Sequence, residues 1–147
     1  MKGIFFIPGA VPSSKNSRIM TRSGLFIASK ATQKYRKLTA AYWMMHKPAF
    51  KAELAVKSKP ITIGLHFVRG SRHKWDFINP AQTIQDEMTK AGWIEDDNVD
   101  EILPVPLYVN GSYWSYDKSN PGVYIAVLES FCDSYTISDE TIKHLRP

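Results

Sequence analysis

From Asn79 to Gly92 the chain spells out a helix with both ends marked, and acidic residues stand on either side of it. Asn followed by Pro starts a helix well, because Asn accepts from early backbone N–H groups and Pro tolerates the first turn. Gln82, three residues on, completes a capping box. Ala81, Ile84, Met88 and Ala91 then recur at helical spacing, and Gly92 supplies the left-handed residue that ends such a run. The predicted helix, residues 80–91, is roughly 18 Å long. Asp76 lies just before it and Asp97 five residues beyond Gly92, and five extended residues cover roughly 17 Å. A chain that doubles back along this helix therefore returns Asp97 to the neighbourhood of Asp76.

Residues 74–101 hold eight of the fourteen carboxylates: Asp76, Asp86, Glu87, Glu95, Asp96, Asp97, Asp100 and Glu101. Neighbouring carboxylates repel, and one keeps a proton unless a cation or donor stands between them. A hard divalent ion such as Mg2+ resolves that conflict, since it takes one or two carboxylates, keeps several waters and accepts substrate phosphates. Such a site suits phosphodiester chemistry. The competing reading is a solvated acidic turn over 95–101, with Asp76 capping a strand end.

The net charge of +5 conceals an asymmetry: residues 1–74 hold fifteen Lys and Arg against Glu53 alone, and residues 75–147 hold four against thirteen acids. A basic surface beside an acidic metal site suits a phosphate-backbone enzyme, because Lys and Arg release counterions from DNA while the acids meet the metal. The candidate backbone contacts are Lys15, Asn16, Arg18 and Arg22 in a polar loop over 11–22, Lys30 and Lys34 on the following helix, and Arg69, Arg72 and Lys74 directly ahead of Asp76.

The remaining elements follow in order. A short strand spans 3–7, and a second small strand 25–28 precedes Ser29, the cap of a helix from Lys30 to Met45 with Tyr35, Leu38, Tyr42 and Met45 as its inward stripe. Pro48 ends or kinks that helix ahead of an amphipathic segment, 49–56, and a connector, 57–60. Residues 61–68 read as a central strand, with His66 facing the core or an edge and His73 at the surface. Two later strands, 101–105 and 123–128, are expected to pair with each other. Between them lies a hairpin insertion, 104–120, turning at Asn110-Gly111 and carrying Tyr108, Tyr113, Trp114 and Tyr116. These aromatics could stack on unpaired bases, sit in a dimer interface or pack on the chain's own core.

At 147 residues and 44% hydrophobic, this is one domain, 1–147, with a core over about 3–130 and a tail, 131–147, holding a short helix after Ser138. A single cysteine, Cys132, rules out an internal disulfide and fits a reducing, cytoplasmic setting; no stretch approaches membrane length. No nucleophile elbow, phosphate-cradling Gly loop or zinc spacing points to another enzyme class.

The order Asp76-x-x-Asn79, then Asp86 on the following helix, then Ala-Gly-Trp-x-x-Asp-Asp-x-Val at 91–99, resembles the core signature of RusA-type Holliday-junction resolvases. IPGAVPSSKNSR at 7–18 resembles that family's opening strand and loop, and IASKATQKYRK at 27–37 its Ser-capped first helix. The resemblance covers about residues 3–103 and continues weakly to Leu128. It implies an α+β, RusA-like single domain with a small mixed β-sheet and two main helices. It also implies a Mg2+-dependent, structure-selective endonuclease, with Mn2+ as an alternative ion, that cuts four-way DNA junctions in recombination and repair as a homodimer. Asp76 and Asp97 match metal-binding acids, Asp96 the companion acid, and Asn79 and Asp86 positions of less defined role. The chain departs from the pattern at Ile78, where the family has an acid, and at Gln82, where it usually has Lys.

These readings combine into a hydrolase in which Asp76, Asp97 and Asp96 hold the ion, and Asp76, Asp97, Asp96 and Asp86 form the catalytic set. Two alternatives stay open: a resolvase-like protein that binds branched DNA without cutting it, and a partner-binding protein that uses the basic half and the aromatic hairpin without DNA.

Overall fold

The computed structural model describes residues 3–16 and 18–129, together with Glu140 and Lys143. Strand β1, Ile4–Pro8, turns Phe5 and Ile7 inward, alternating as a half-buried strand must. A 3-10 turn, Ser14–Asn16, follows. The loop expected over 11–22 then turns out to contain a strand: β2, Arg18–Met20, pairs antiparallel with β3, Phe26–Ala28. Three residues are too short a run for alternation to mark it.

Helix α1, Lys30–Leu54, is capped by Ser29 as expected, its side chain accepting from the Thr32 N–H. The structure corrects the sequence reading of this helix in two ways. First, α1 runs 25 residues straight through Pro48. The ring sits on the exposed side, where the carbonyl that loses its partner can bond water instead. Second, its buried face is Thr32, Tyr35, Thr39, Trp43 and Phe50, whereas Leu38 and Met45 are 56% and 61% exposed. Thr39 explains the offset: its hydroxyl donates to the Tyr35 carbonyl and accepts from Trp43 Nε1, so a polar residue sits satisfied on the inward face. Because Pro48 costs the helix interior a hydrogen bond, Pro48→Ala should raise stability by about 1–3 kcal/mol, read as a higher thermal midpoint. An unchanged midpoint would mean that the helix has already accommodated the ring.

Strand β4, Ile61–Arg69, buries its first seven residues and is the centre of the main sheet. Helix α2, Ile78–Lys90, comes next, then β5, Ile102–Pro106, β6, Trp114–Tyr116, and β7, Gly122–Leu128. β7 lies antiparallel between β1 and β4. β5 runs parallel to Ile61–Leu65, and β6 parallel to Phe67–Arg69, end to end along the opposite edge of β4. The strands expected at 101–105 and 123–128 therefore flank β4 and do not pair with each other. A strand buried along its length needs a partner on both edges, and the prolines of β5 suit an outer place.

Between β5 and β6 the chain leaves the sheet, and Val109 and Ser112 bridge around Asn110 and Gly111, both with positive φ. Buried His66 fastens the base of this excursion, with Nδ1 2.8 Å from the Leu107 carbonyl and Nε2 2.6 Å from Ser115 Oγ. Of the excursion's aromatics, Tyr108 and Tyr113 stand exposed against each other, while Trp114 packs edge-on to Trp75.

One face of the sheet carries Phe5, Ile7, Ile61, Ile63, Leu65, Phe67, Val123 and Ile125. They join Tyr35, Trp43 and Phe50 of α1 and Ala81, Ile84 and Met88 of α2 in a single cluster. The architecture is thus α+β, with a mixed sheet and two main helices. Cys132 and the helix expected after Ser138 lie outside the described residues, except that Glu140 and Lys143 are helical. Among the described residues, no helix is long and apolar enough to cross a membrane.

Candidate functional site

β4 delivers the chain to Asp76 through residues 70–75, and Asp76 stands two residues ahead of the first residue of α2. Its Oδ1 accepts from the Asn79 backbone N–H at 3.0 Å, satisfying an open first-turn donor from one residue ahead of the cap, Phe77, whose own side chain makes no such bond. The capping box expected from Asn79 and Gln82 is therefore replaced. Asp76, three residues upstream of Asn79, holds the helix start, and both amides are free for other partners. Asn79 Nδ2 donates to both Asp76 oxygens at 2.8 Å, and Asn79 Oδ1 accepts from Ser14 Oγ at 3.0 Å. Lys15 Nζ lies 3.6 Å from Asp76 Oδ2. The Asn79 backbone N–H, with its side-chain amide and Lys15 adding to it, holds this exposed carboxyl below the usual range. Ile78 opens α2 at 75% exposure.

The far end of α2 reverses as its sequence predicts. Gly92 has φ +75°, its N–H donates to the Thr89 carbonyl, and the Trp93 N–H donates to the Met88 carbonyl at 2.9 Å. Trp93 then buries completely against Phe5, Trp43 and Phe50, which turns the following acids back along the helix. Asp97 Oδ2 accepts from Gln82 Nε2 at 2.7 Å, and Asp86 Oδ1 accepts from the same nitrogen at 3.0 Å. Asp96 stays in the turn, accepting from the Asn98 amide and the Asp97 N–H. These two donors, the Asn98 amide first, hold its carboxyl below the usual range.

Asp76 and Asp97 are thus each docked to an amide of α2, and Asn79 and Gln82, three apart, are neighbours on one helix face. They open onto different clefts. The first, about 580 Å³, is lined by Lys15, Arg69, Lys74 and Lys118 with Trp75, Asp76 and Asn79. The second, about 470 Å³, is lined by Asp86, Asp96 and Asp97 with Arg18, Arg36 and Lys90. Beneath the second, Arg36 Nε donates to buried Glu87 at 2.7 Å, tying α1 to α2.

Of the basic residues singled out in the sequence, Lys15, Arg69 and Lys74 gather in the first cleft and Arg18 in the second. Arg72 stacks on Tyr116, 4.1 Å from its ring centroid, and Arg69 lies over Trp75 at 5.1 Å. Arg22, Lys30 and Lys34 are exposed and line neither cleft, and the side chain of Asn16 lies outside the described part. Lys118 joins the basic cleft from well downstream of Lys74, a placement no local motif announces.

Among the described residues no three Asp, Glu, His or Cys side chains converge as an ion-holding group. Asp86 and Asp97 do bring two hard oxygen donors onto one point, which fits a divalent ion that completes its shell with water and phosphate. The family model described as Endodeoxyribonuclease RusA matches residues 8–127. No curated protein matches the chain.

Proposed function

From the premise that the chain belongs to the RusA endodeoxyribonuclease family, we propose that it is a Mg2+-dependent, structure-selective endonuclease. It cleaves four-way DNA junctions in recombination and repair, works inside the cell, and does so as a homodimer, because paired cuts across a symmetric junction call for two copies. The observation that carries this reading is the adjacency on α2 of a cleft with four cationic side chains and a cleft with three aspartates.

Lys15, Arg69, Lys74 and Lys118 hold backbone phosphates and release their counterions. Asp97 and Asp86, which meet at Gln82, with Asp96 in the same cleft, are the proposed ligands of Mg2+, or of Mn2+ in its place; Asp76, matched to a metal-binding acid by the resemblance, opens onto the basic cleft and lies outside this group. The bound ion supplies a more acidic water and offsets the charge that builds on the phosphate. Asn79 orients Asp76, Gln82 pairs Asp86 with Asp97 before the ion enters, and the Lys15 ammonium screens Asp76 from the incoming backbone.

A second reading, binding without turnover, draws on Ile78, an exposed apolar side chain where the family carries an acid. Labelled four-way junctions incubated with Mg2+ or Mn2+ separate the two. Paired nicks are expected, and binding without any metal-stimulated product would replace the nuclease with a junction-binding protein. Lys118→Ala should weaken junction binding evenly across sequences and flatten its salt dependence by about one phosphate contact. Unaltered salt dependence would move the backbone path away from this cleft.

A further inference from the structure

Gln82 donates both hydrogens of a single nitrogen, one to Asp86 and one to Asp97, at 3.0 and 2.7 Å. One acid lies a helical turn away on α2, and the other arrives from beyond the Gly92 reversal. We propose that Gln82 is an internal stand-in for the ion: its amide holds the two acids together in the ion-free protein and must give them up when a divalent cation binds, so it restrains the affinity of the site.

An amide nitrogen with both hydrogens engaged is a donor only and cannot ligate a cation. A nitrogen bonded to Asp86 Oδ1 and Asp97 Oδ2 occupies the point between the two acids that an ion bridging them would take. Hydrogen bonds to carboxylates are the stronger kind, so their loss weighs against ion binding. Arg18, Arg36 and Lys90 also line this cleft, but Arg36 is committed to Glu87. Among the described hydrogen bonds, Gln82 is the group that joins Asp86 to Asp97. Gln82 is accordingly a positioning residue; the acids do the chemistry.

This inference rests on the nuclease reading but is tested apart from it. Mn2+ binding is measured by calorimetry, and thermal midpoints are measured in chelator and in Mn2+, for the intact chain and two variants. Gln82→Met, close in size but without donors, should bind Mn2+ about tenfold more tightly, melt lower in chelator, and gain more from Mn2+ than the parent does. Gln82→Lys, whose ammonium can span the same acids with a full charge, should bind Mn2+ at least tenfold more weakly and melt higher in chelator. It also keeps the test open should the Met variant fold poorly. Equal or weaker Mn2+ affinity in Gln82→Met, or unchanged affinity in Gln82→Lys, overturns the proposal. Junction cleavage by the parent together with either result defeats this inference alone. Shifted affinities without cleavage defeat the nuclease reading alone.

Discussion

Replacing Asp97 with Asn should lower single-turnover cleavage of four-way junctions by roughly 10²–10³-fold while leaving the fold intact. The fold survives because an Asn side-chain oxygen can still accept from Gln82 Nε2, the contact that Asp97 makes at 2.7 Å. What is lost is a negative charge among the proposed ligands. Outer-sphere changes at metal sites already cost about 10–100-fold, and a ligand stands closer than those. Junction binding in chelator should stay level or tighten, since Asp97 lines the acidic cleft and not the one with Lys15, Arg69, Lys74 and Lys118. Cleavage within tenfold of the parent would remove Asp97 from the reacting centre and return the acidic turn to its alternative reading as solvated surface.

Trp93→Ala should destabilise the protein by about 3–5 kcal/mol, which lowers the thermal midpoint by roughly 10–15 °C for a domain of this size. The side chain has no exposed surface. Its ring centroid lies 4.4 Å from Phe50, 4.9 Å from Trp43 and 5.8 Å from Phe5, and Nε1 donates to the Trp43 carbonyl at 2.8 Å. Truncation leaves a cavity among three aromatics and an acceptor without its donor. Trp93→Phe, which keeps most of the volume and loses only the indole N–H, should cost about 1–2 kcal/mol. A midpoint within about 3 °C of the parent for the Ala variant would mean that the cluster collapses around the gap. Because Trp93 directly follows Gly92, the Ala variant should also lose cleavage at temperatures where it remains folded.

The parts of this fold legible in the sequence are those where a backbone requirement names its residue. Gly92 marks the reversal because its φ of +75° is one that side-chain-bearing residues avoid, and Ser29 marks the start of α1 because its side chain meets the Thr32 N–H. Asn110 and Gly111 mark the turn of the excursion on the same grounds. Legibility fails where distant parts of the chain compete for one place. Nothing local says that β5 and β7 take opposite edges of β4, since either pairing satisfies the same apolar runs. Residue type does not say that Thr39 faces inward, because a lone hydroxyl reads as exposed until the Tyr35 carbonyl and Trp43 Nε1, each one turn away on α1, are seen to engage it. At the candidate site the acids stand out by density, but their division between two clefts depends on which amide each one meets. Asn79 and Gln82 were spoken for by a capping box that Asp76 made redundant.

Among the described residues, the strand joining the two halves of the main sheet is the last of its strands in chain order. β7 pairs Ala126 with Ile4 on one side and with Gly64 on the other. During biosynthesis β1 and one edge of β4 therefore wait with open hydrogen-bonding rims until residues 122–128 have left the ribosome, the state in which edges recruit foreign strands. Assembly of this sheet is a late event that closes long loops all at once, and such topologies fold slowly.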